Sequence, residues 1–239
     1  MTQHAADRRR IYLMRHGSVD YFHADGTIAH PESVPLNAQG QAQAQAAGEL
    51  FRASAVRFDR VVASGLPRTV ETATRVLEAA GQPMPIGVDA ALQEIRGGRL
   101  ADIAGDQIEH AFLGAFRGGV DIESVRFLGG ESIGEMLDRV LPAFEHLLRS
   151  DDWRCLLLVL HGGVNRALLA RALTGTRAFF GRFEQAAGCI NVLDADGEDL
   201  VVRAVNLAAS QWLQEHETLT TMEKLLQQYQ RLRRMDRRR

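Results

Sequence analysis

The chain has 239 residues, a formal net charge of −2, 46% hydrophobic residues and 24% charged ones, an ordinary globular composition with enough length for a sizeable core. The near-neutral balance excludes a chain-wide field for nucleic acid or membrane. Among the 28 basic residues Lys224 is the only lysine, leaving 27 arginines, which excludes phosphate-loop NTPases and Schiff-base enzymes, both of which need a lysine in the body of the fold. Anion chemistry here falls to arginine, histidine and backbone amides.

In chain order, residues 1–10 are polar and end in Arg8-Arg9-Arg10, and the apolar run that follows, 11–14, is too short for a signal-peptide core. Runs 11–14, 61–63 and 155–160 have strand character. Each is followed by a small-residue turn and then a helical pattern, over 41–51, 68–80 and 164–173 among others. A further helix is expected over 133–148, with Ser132 and Glu135 at capping-box spacing, and Asn37 is placed to cap the first helix. Runs 190–193 and 200–205 flank Asp194-Ala195-Asp196-Gly197, a hairpin signal that adds one antiparallel strand. The alternation predicts an α/β fold: a three-layer, doubly wound, mostly parallel sheet with helices on both faces. We expect one such domain over 1–216, with inserts 18–35 and 97–130 lying over its active site, and a basic amphipathic C-terminal helix within 217–239. Cys155 and Cys189 are the only cysteines. Without a targeting sequence they do not suggest a disulfide scaffold; Cys155 reads as a small core residue and the expected compartment is the cytoplasm.

In an open α/β sheet, ligands bind beyond the carboxyl ends of the strands. The residues there are Arg15-His16-Gly17, Ser64-Gly65-Leu66-Pro67-Arg68 and His161-Gly162-Gly163, and a later loop delivers Glu94. Arginine's planar fork grips phosphate oxygens in pairs and keeps its charge. A neutral imidazole attacks phosphorus without first losing a proton, and neighbouring guanidinium groups depress its pKa and keep it neutral. A second histidine can stabilise the equatorial oxygens, glycines let the backbone approach an anion at a helix start, and a carboxyl can protonate the leaving oxygen and then activate water.

Leu13-Met14-Arg15-His16-Gly17 resembles the signature of the histidine phosphatase superfamily, the phosphoglycerate mutase-like proteins. The resemblance continues through 35–44, 64–68 with Glu71-Thr72-Ala73, Glu94, Gly129-Gly130-Glu131-Ser132 and 159–164, in family order over about 11–206. It implies a cofactor-independent phosphomonoesterase with no metal. In that reading His16 is the phosphorylated nucleophile, Arg15, Arg68, His161 and Gly162 form the phosphate pocket, and Glu94 is the proton donor. Glu94 is followed by Ile95, and no lysine precedes Lys224. The lysine-rich substrate segment of the glycolytic mutases is therefore missing, and the phosphatase branch is favoured over the mutase.

Blander readings compete at several positions. A lone histidine at a strand end is commonly structural; two of them together with Arg15 and Arg68 reverse that. Glu109, Glu123 and Glu131 are rivals to Glu94, with Glu131 better suited to capping or support. Ser18, His23 and Arg99 are candidate pocket residues, though His23, with His30, matches no metal-ligand spacing, and a surface role suits Arg99. Phe112, Phe116 and Phe127 fit a lid or plain core packing. From 223 onward seven basic residues face Glu223 and Asp236, without the interleaved aromatics expected for nucleic-acid binding. Neither nucleic acid nor membrane is an expected partner. A small phosphorylated substrate is, and the tail's apolar stripe suits docking on the domain or on a second subunit in a homodimer.

Overall fold

The computed structural model describes residues 8–23, 27–117, 121–210 and 218–236. Six strands form one sheet in the order β3-β2-β4-β1-β5-β6: β1 Arg9–Arg15, β2 Arg60–Ala63, β3 Gly87–Val88, β4 Cys155–Leu160, β5 Ile190–Asp196 and β6 Asp199–Leu207. Ladders β1·β4, β2·β4 and β2·β3 are parallel, and β5 alone runs against its neighbours on both sides. The mixed, mostly parallel sheet expected from the sequence is the sheet observed.

β4 reads as an unbroken apolar run because both its faces are covered. Leu156, Leu158 and Leu160 pack with α4 (Ile133–Arg149) and α5 (Gly162–Thr174), while Leu157 and Val159 pack with α1 (Ala38–Ala53) and α2 (Pro67–Ala80). The caps fall as read. The Asn37 side chain accepts from the Gly40 amide at 2.9 Å, and Ser132 with Glu135 closes a capping box on α4. The first strand begins two residues earlier than its apolar run. Arg9 is buried beneath Trp153, with its guanidinium carbon 4.1 Å from the ring, and donates to the Leu148 and Ser150 carbonyls where α4 ends. Cys155 is half-buried and Cys189 buried, both as free thiols.

A smaller third cluster sits apart from the two sheet faces. The second insert forms α3 (Ile108–Arg117), and Ile108, Phe112 and Leu113 pack against Met222, Leu226 and Tyr229 of α6 (Thr221–Asp236). Phe22 of the first insert joins them, 6.3 Å from the Tyr229 ring. Of the three phenylalanines weighed as a lid, Phe112 is buried in this cluster, and Phe116 and Phe127, edge-on at 6.0 Å, pack both against it and against the larger core. Basic residues 237–239 of the tail fall outside the described residues. No described helix is long and apolar enough to cross a membrane.

Candidate active site

β1 and β4 are neighbours in register, Arg15 opposite Leu160, so the residues that follow them, His16 and His161, emerge side by side at the carboxyl edge. Their ring centroids are 5.2 Å apart at an interplanar angle of 65°. β2 pairs with β4 on the other side, Ala63 opposite Val159, which brings Ser64 to the same edge. α2 begins three residues later and carries Arg68 inward. The turn after His16 leaves no room for side chains: a Cβ on Gly17 would stand 2.4 Å from the Gly40 carbonyl oxygen, and one on Gly40 2.1 Å from that of Ser18. Threonine 72 of α2 ties this turn down, its hydroxyl accepting from the Gly17 amide at 3.1 Å.

His16 is 3% exposed, and its Nδ1 lies 2.7 Å from the Gly17 carbonyl oxygen. A carbonyl only accepts, so Nδ1 carries the proton and Nε2 of the neutral ring keeps a free lone pair. Burial first, then the charges of Arg68 and Arg15, hold its pKa well below the ordinary histidine value, outweighing the contact with Gly17.

His161 is fully buried, with Nε2 2.7 Å from the Ser64 hydroxyl. The Thr69 hydroxyl gives its one proton to the Leu66 carbonyl at 2.8 Å, so it accepts from Ser64 at 3.1 Å. Ser64 in turn accepts from His161, which places a proton on Nε2. Nδ1 of His161 is left buried and without a partner. Burial, followed by Arg68 and then the other site charges, again lowers its pKa well below the usual value. An anion in this space would reverse that balance and let Nδ1 take a proton and donate to it.

Both site arginines have a buried Nε without a partner, and buried donors seldom stay unpaired unless something else binds there. Arg68 is held from the first insert, donating to the Pro31 carbonyl with its guanidinium carbon 6.0 Å from the Tyr21 ring. Tyr21, unremarked in the sequence, feels the charges of Arg68, Arg15 and Glu94; burial pushes its phenol up despite the two arginines. Arg15 donates to the Gln185 carbonyl and, at 3.0 Å, to the Thr221 hydroxyl. Behind it the buried side chains of Asn165, Gln185 and Asn191 bond one another, and Asn191 donates to the Leu13 carbonyl at 2.9 Å. Gly162 opens α5 beside this arginine, its Cβ direction 3.4 Å from Arg15 Nε.

Glu94 reaches the same helix start. Its Oε2 accepts from the Gly163 amide at 3.0 Å, and Oε1 accepts from its own neighbour Ile95 at 3.0 Å. The rival carboxylates lie elsewhere: Glu109 pairs with Arg117 and Glu123 with Arg177. Glu131 is a support rather than a cap. It pairs with Arg139 and accepts from the Arg96 amide, while Arg139 donates to the carbonyls of Ala91, Gln93 and Glu94. This clamp fixes the loop that delivers Glu94.

Among the described residues, no hydrogen bond joins the side chains of the remaining pocket candidates to the histidine pair. Ser18 bonds to Gln43 and Asn37, and the His23 and Arg99 side chains are exposed. Sequence reading missed Arg166, 5% exposed, which donates to the Gly162 carbonyl at 3.1 Å and to Glu184 at 3.1 Å. Its one signal is a position four residues beyond Gly162, one helical turn along α5.

Comparisons with known proteins bear on the family and the fold. The chain is 30% identical over 205 residues to a probable phosphoglycerate mutase, GpmB, of Salmonella paratyphi A, covering 85% of this chain and 87% of that protein. A putative alpha-ribazole-5'-P phosphatase from Escherichia coli superposes with a TM-score of 0.67 at 26% identity, over 83% of this chain and 96% of that one. A mycobacterial glucosyl-3-phosphoglycerate phosphatase complexed with VO3 gives 0.64 at 26% identity, over 83% and 98%. The family model described as histidine phosphatase superfamily (branch 1) matches residues 11–208, and the chain is an enzyme of that superfamily.

Proposed function

We propose that this protein hydrolyses the phosphate monoester of a small metabolite through a phosphohistidine on His16. The observation that carries the reading is the state of that ring: buried, neutral, its Nδ1 proton committed to the Gly17 carbonyl and its Nε2 lone pair free beside two arginines. Arg15 and Arg68 hold the phosphoryl oxygens, with the Gly162 amide and His161 completing the cradle. Nε2 attacks phosphorus in line with the leaving oxygen; the N–P bond forms as the P–O bond breaks, and Glu94, carrying a proton, delivers it to the leaving alkoxide. Water then attacks from the opposite side and loses a proton to Glu94, and the N–P bond breaks to release phosphate. Two in-line displacements give net retention at phosphorus.

His16→Ala should abolish phosphate release from p-nitrophenyl phosphate, and the wild-type enzyme should yield a radiolabelled phosphohistidine on acid-free quenching. Undiminished turnover by the variant would overturn the assignment. The second reading, a phosphomutase, draws on the relatives named as probable phosphoglycerate mutases. Ile95 after Glu94 and the lack of any lysine before Lys224 favour hydrolysis. Comparing hydrolysis with isomerisation of a phosphoglycerate separates the two. A non-catalytic phospho-ligand module would need no carboxyl at Glu94; an inactive protein that still binds phosphate is the result that would support it.

A further inference from the structure

The family match ends at residue 208, yet the phosphate-pocket arginine has a partner beyond it. We propose that Thr221, the first residue of the C-terminal helix, is a positioning residue that orients Arg15 through a relay to Glu184, making α6 a working part of the active site. The inference rests on the reading of Arg15 as a phosphate-binding residue.

The direction of each hydrogen bond follows from donor and acceptor chemistry. Arg15 Nη1 donates to Thr221 Oγ1 at 3.0 Å, because a guanidinium cannot accept. The Thr221 hydroxyl then gives its own proton to Glu184 Oε1, also at 3.0 Å. The Thr221 amide, free of any intrahelical acceptor at the first turn, points to the same oxygen at 3.3 Å. Glu184 Oε2 accepts from Arg166, which returns to the Gly162 carbonyl at the start of α5. Arg15, through this hydroxyl, and Arg166, directly, thus share a single carboxylate beside that helix start. Arg15 Nη1 is fixed by Thr221 and the Gln185 carbonyl, while its Nε keeps no partner, so the fork presents one edge to the protein and leaves the other for a ligand.

Thr221 is held where this geometry needs it by two independent devices. Thr220 and Glu223 form reciprocal bonds: the Thr220 amide donates to Glu223 Oε2 at 2.7 Å, and the Glu223 amide to the Thr220 hydroxyl at 3.3 Å. This capping box starts the helix at Thr221. Met222, Leu226 and Tyr229 then dock α6 on Ile108, Phe112 and Leu113 of the insert helix. A hydroxyl on a docked, capped helix loses little freedom when it bonds Arg15, so the bond constrains the arginine rather than the reverse.

The test compares full-length wild type, Thr221→Val, Thr221→Ser, Arg15→Lys, Arg15→Ala and the Thr221→Val/Arg15→Lys double variant, read by kcat, KM and competitive inhibition by inorganic phosphate. Thr221→Val keeps the side-chain volume and removes the hydroxyl. It should raise KM and the phosphate inhibition constant by about tenfold and leave kcat within about threefold, the size of one lost bond to a charged group. Thr221→Ser should restore both. In the Arg15→Lys background the same substitution should change phosphate inhibition by less than about twofold, whereas a merely structural effect would repeat in full. Wild-type constants for a folded Thr221→Val, or full additivity in the double variant, overturn the relay. Should Thr221→Val not fold, phosphate inhibition of Thr221→Ala decides by the same criteria. Arg15→Ala with undiminished phosphate binding would instead overturn the assignment of Arg15 itself.

Discussion

A methyl group added at Gly163 should silence the proton donor while leaving the phosphate site intact. A Cβ there would stand 2.5 Å from Glu94 Oε1 and 3.3 Å from its Cδ, where ordinary contact begins at 3.4 Å. The carboxyl oxygen must therefore retreat by the difference, 3.4 − 2.5 = 0.9 Å. It is the end of a flexible side chain, so the carboxylate moves and the helix backbone stays. The retreat also stretches the 3.0 Å bond from the Gly163 amide. Misplacing a catalytic group by an ångström costs about a hundredfold in rate, roughly 2.7 kcal/mol of barrier. Alanine in place of glycine inside a helix favours folding by up to about 1 kcal/mol, so Gly163→Ala should melt no lower than wild type. Steady-state assays on an alkyl phosphate, whose leaving oxygen needs a proton, should show kcat down about a hundredfold. Inhibition by inorganic phosphate should change by less than about threefold. The loss should be smaller with p-nitrophenyl phosphate, whose leaving group departs without a proton. A folded Gly163→Ala enzyme with an unchanged kcat on the alkyl ester would refute the role given to Glu94.

Arg139→Met should cost about 3 kcal/mol in urea unfolding, because it strands Glu131, only 9% exposed in its side chain, and releases three loop carbonyls; a loss below about 1 kcal/mol would show the clamp to be redundant. Stability should also fall in mild acid. His16 and His161 both have folded-state pKa values depressed below 6.5, so the unfolded chain takes up protons first as pH drops through that value. The contribution is fully present above about pH 6.5 and is lost below it, at up to about 1.4 kcal/mol per pH unit for each ring. Urea midpoints at pH 7.5 and 5.5 check this: the wild-type slope should exceed that of a His16→Asn/His161→Asn variant, and equal slopes would contradict it.

Much of this architecture is written in local pattern. The unbroken apolar run of β4 requires helices on both faces, and the strand–turn–helix alternation leaves few sheets able to provide them. Asn37 and the Ser132–Glu135 pair cap their helices as read, because capping is decided within four residues. The Thr220–Glu223 box was equally local, and reading it would have placed the start of α6 at Thr221 instead of somewhere within 217–239. Arg9 was not legible in this way: nothing near it in sequence announces a stack on Trp153, 144 residues away in the chain.

The lone lysine and the 27 arginines already excluded whole classes of chemistry, and the residues ending each strand named Arg15, His16, Arg68 and His161, since strand ends in such sheets are where ligands bind. Sequence alone thereby determined the fold class, the family resemblance and the candidate chemistry. What only the tertiary structure decided are the matters of direction and contact: which nitrogen of His16 is free, that Glu94 rather than Glu109, Glu123 or Glu131 reaches the start of α5, and that Arg166, Glu184 and Thr221 stand behind Arg15. These depend on hydrogen bonds between residues far apart in the chain. A proton's place on an imidazole is set by whichever acceptor the fold brings within about 3 Å, and no periodicity or spacing along the sequence records that distance.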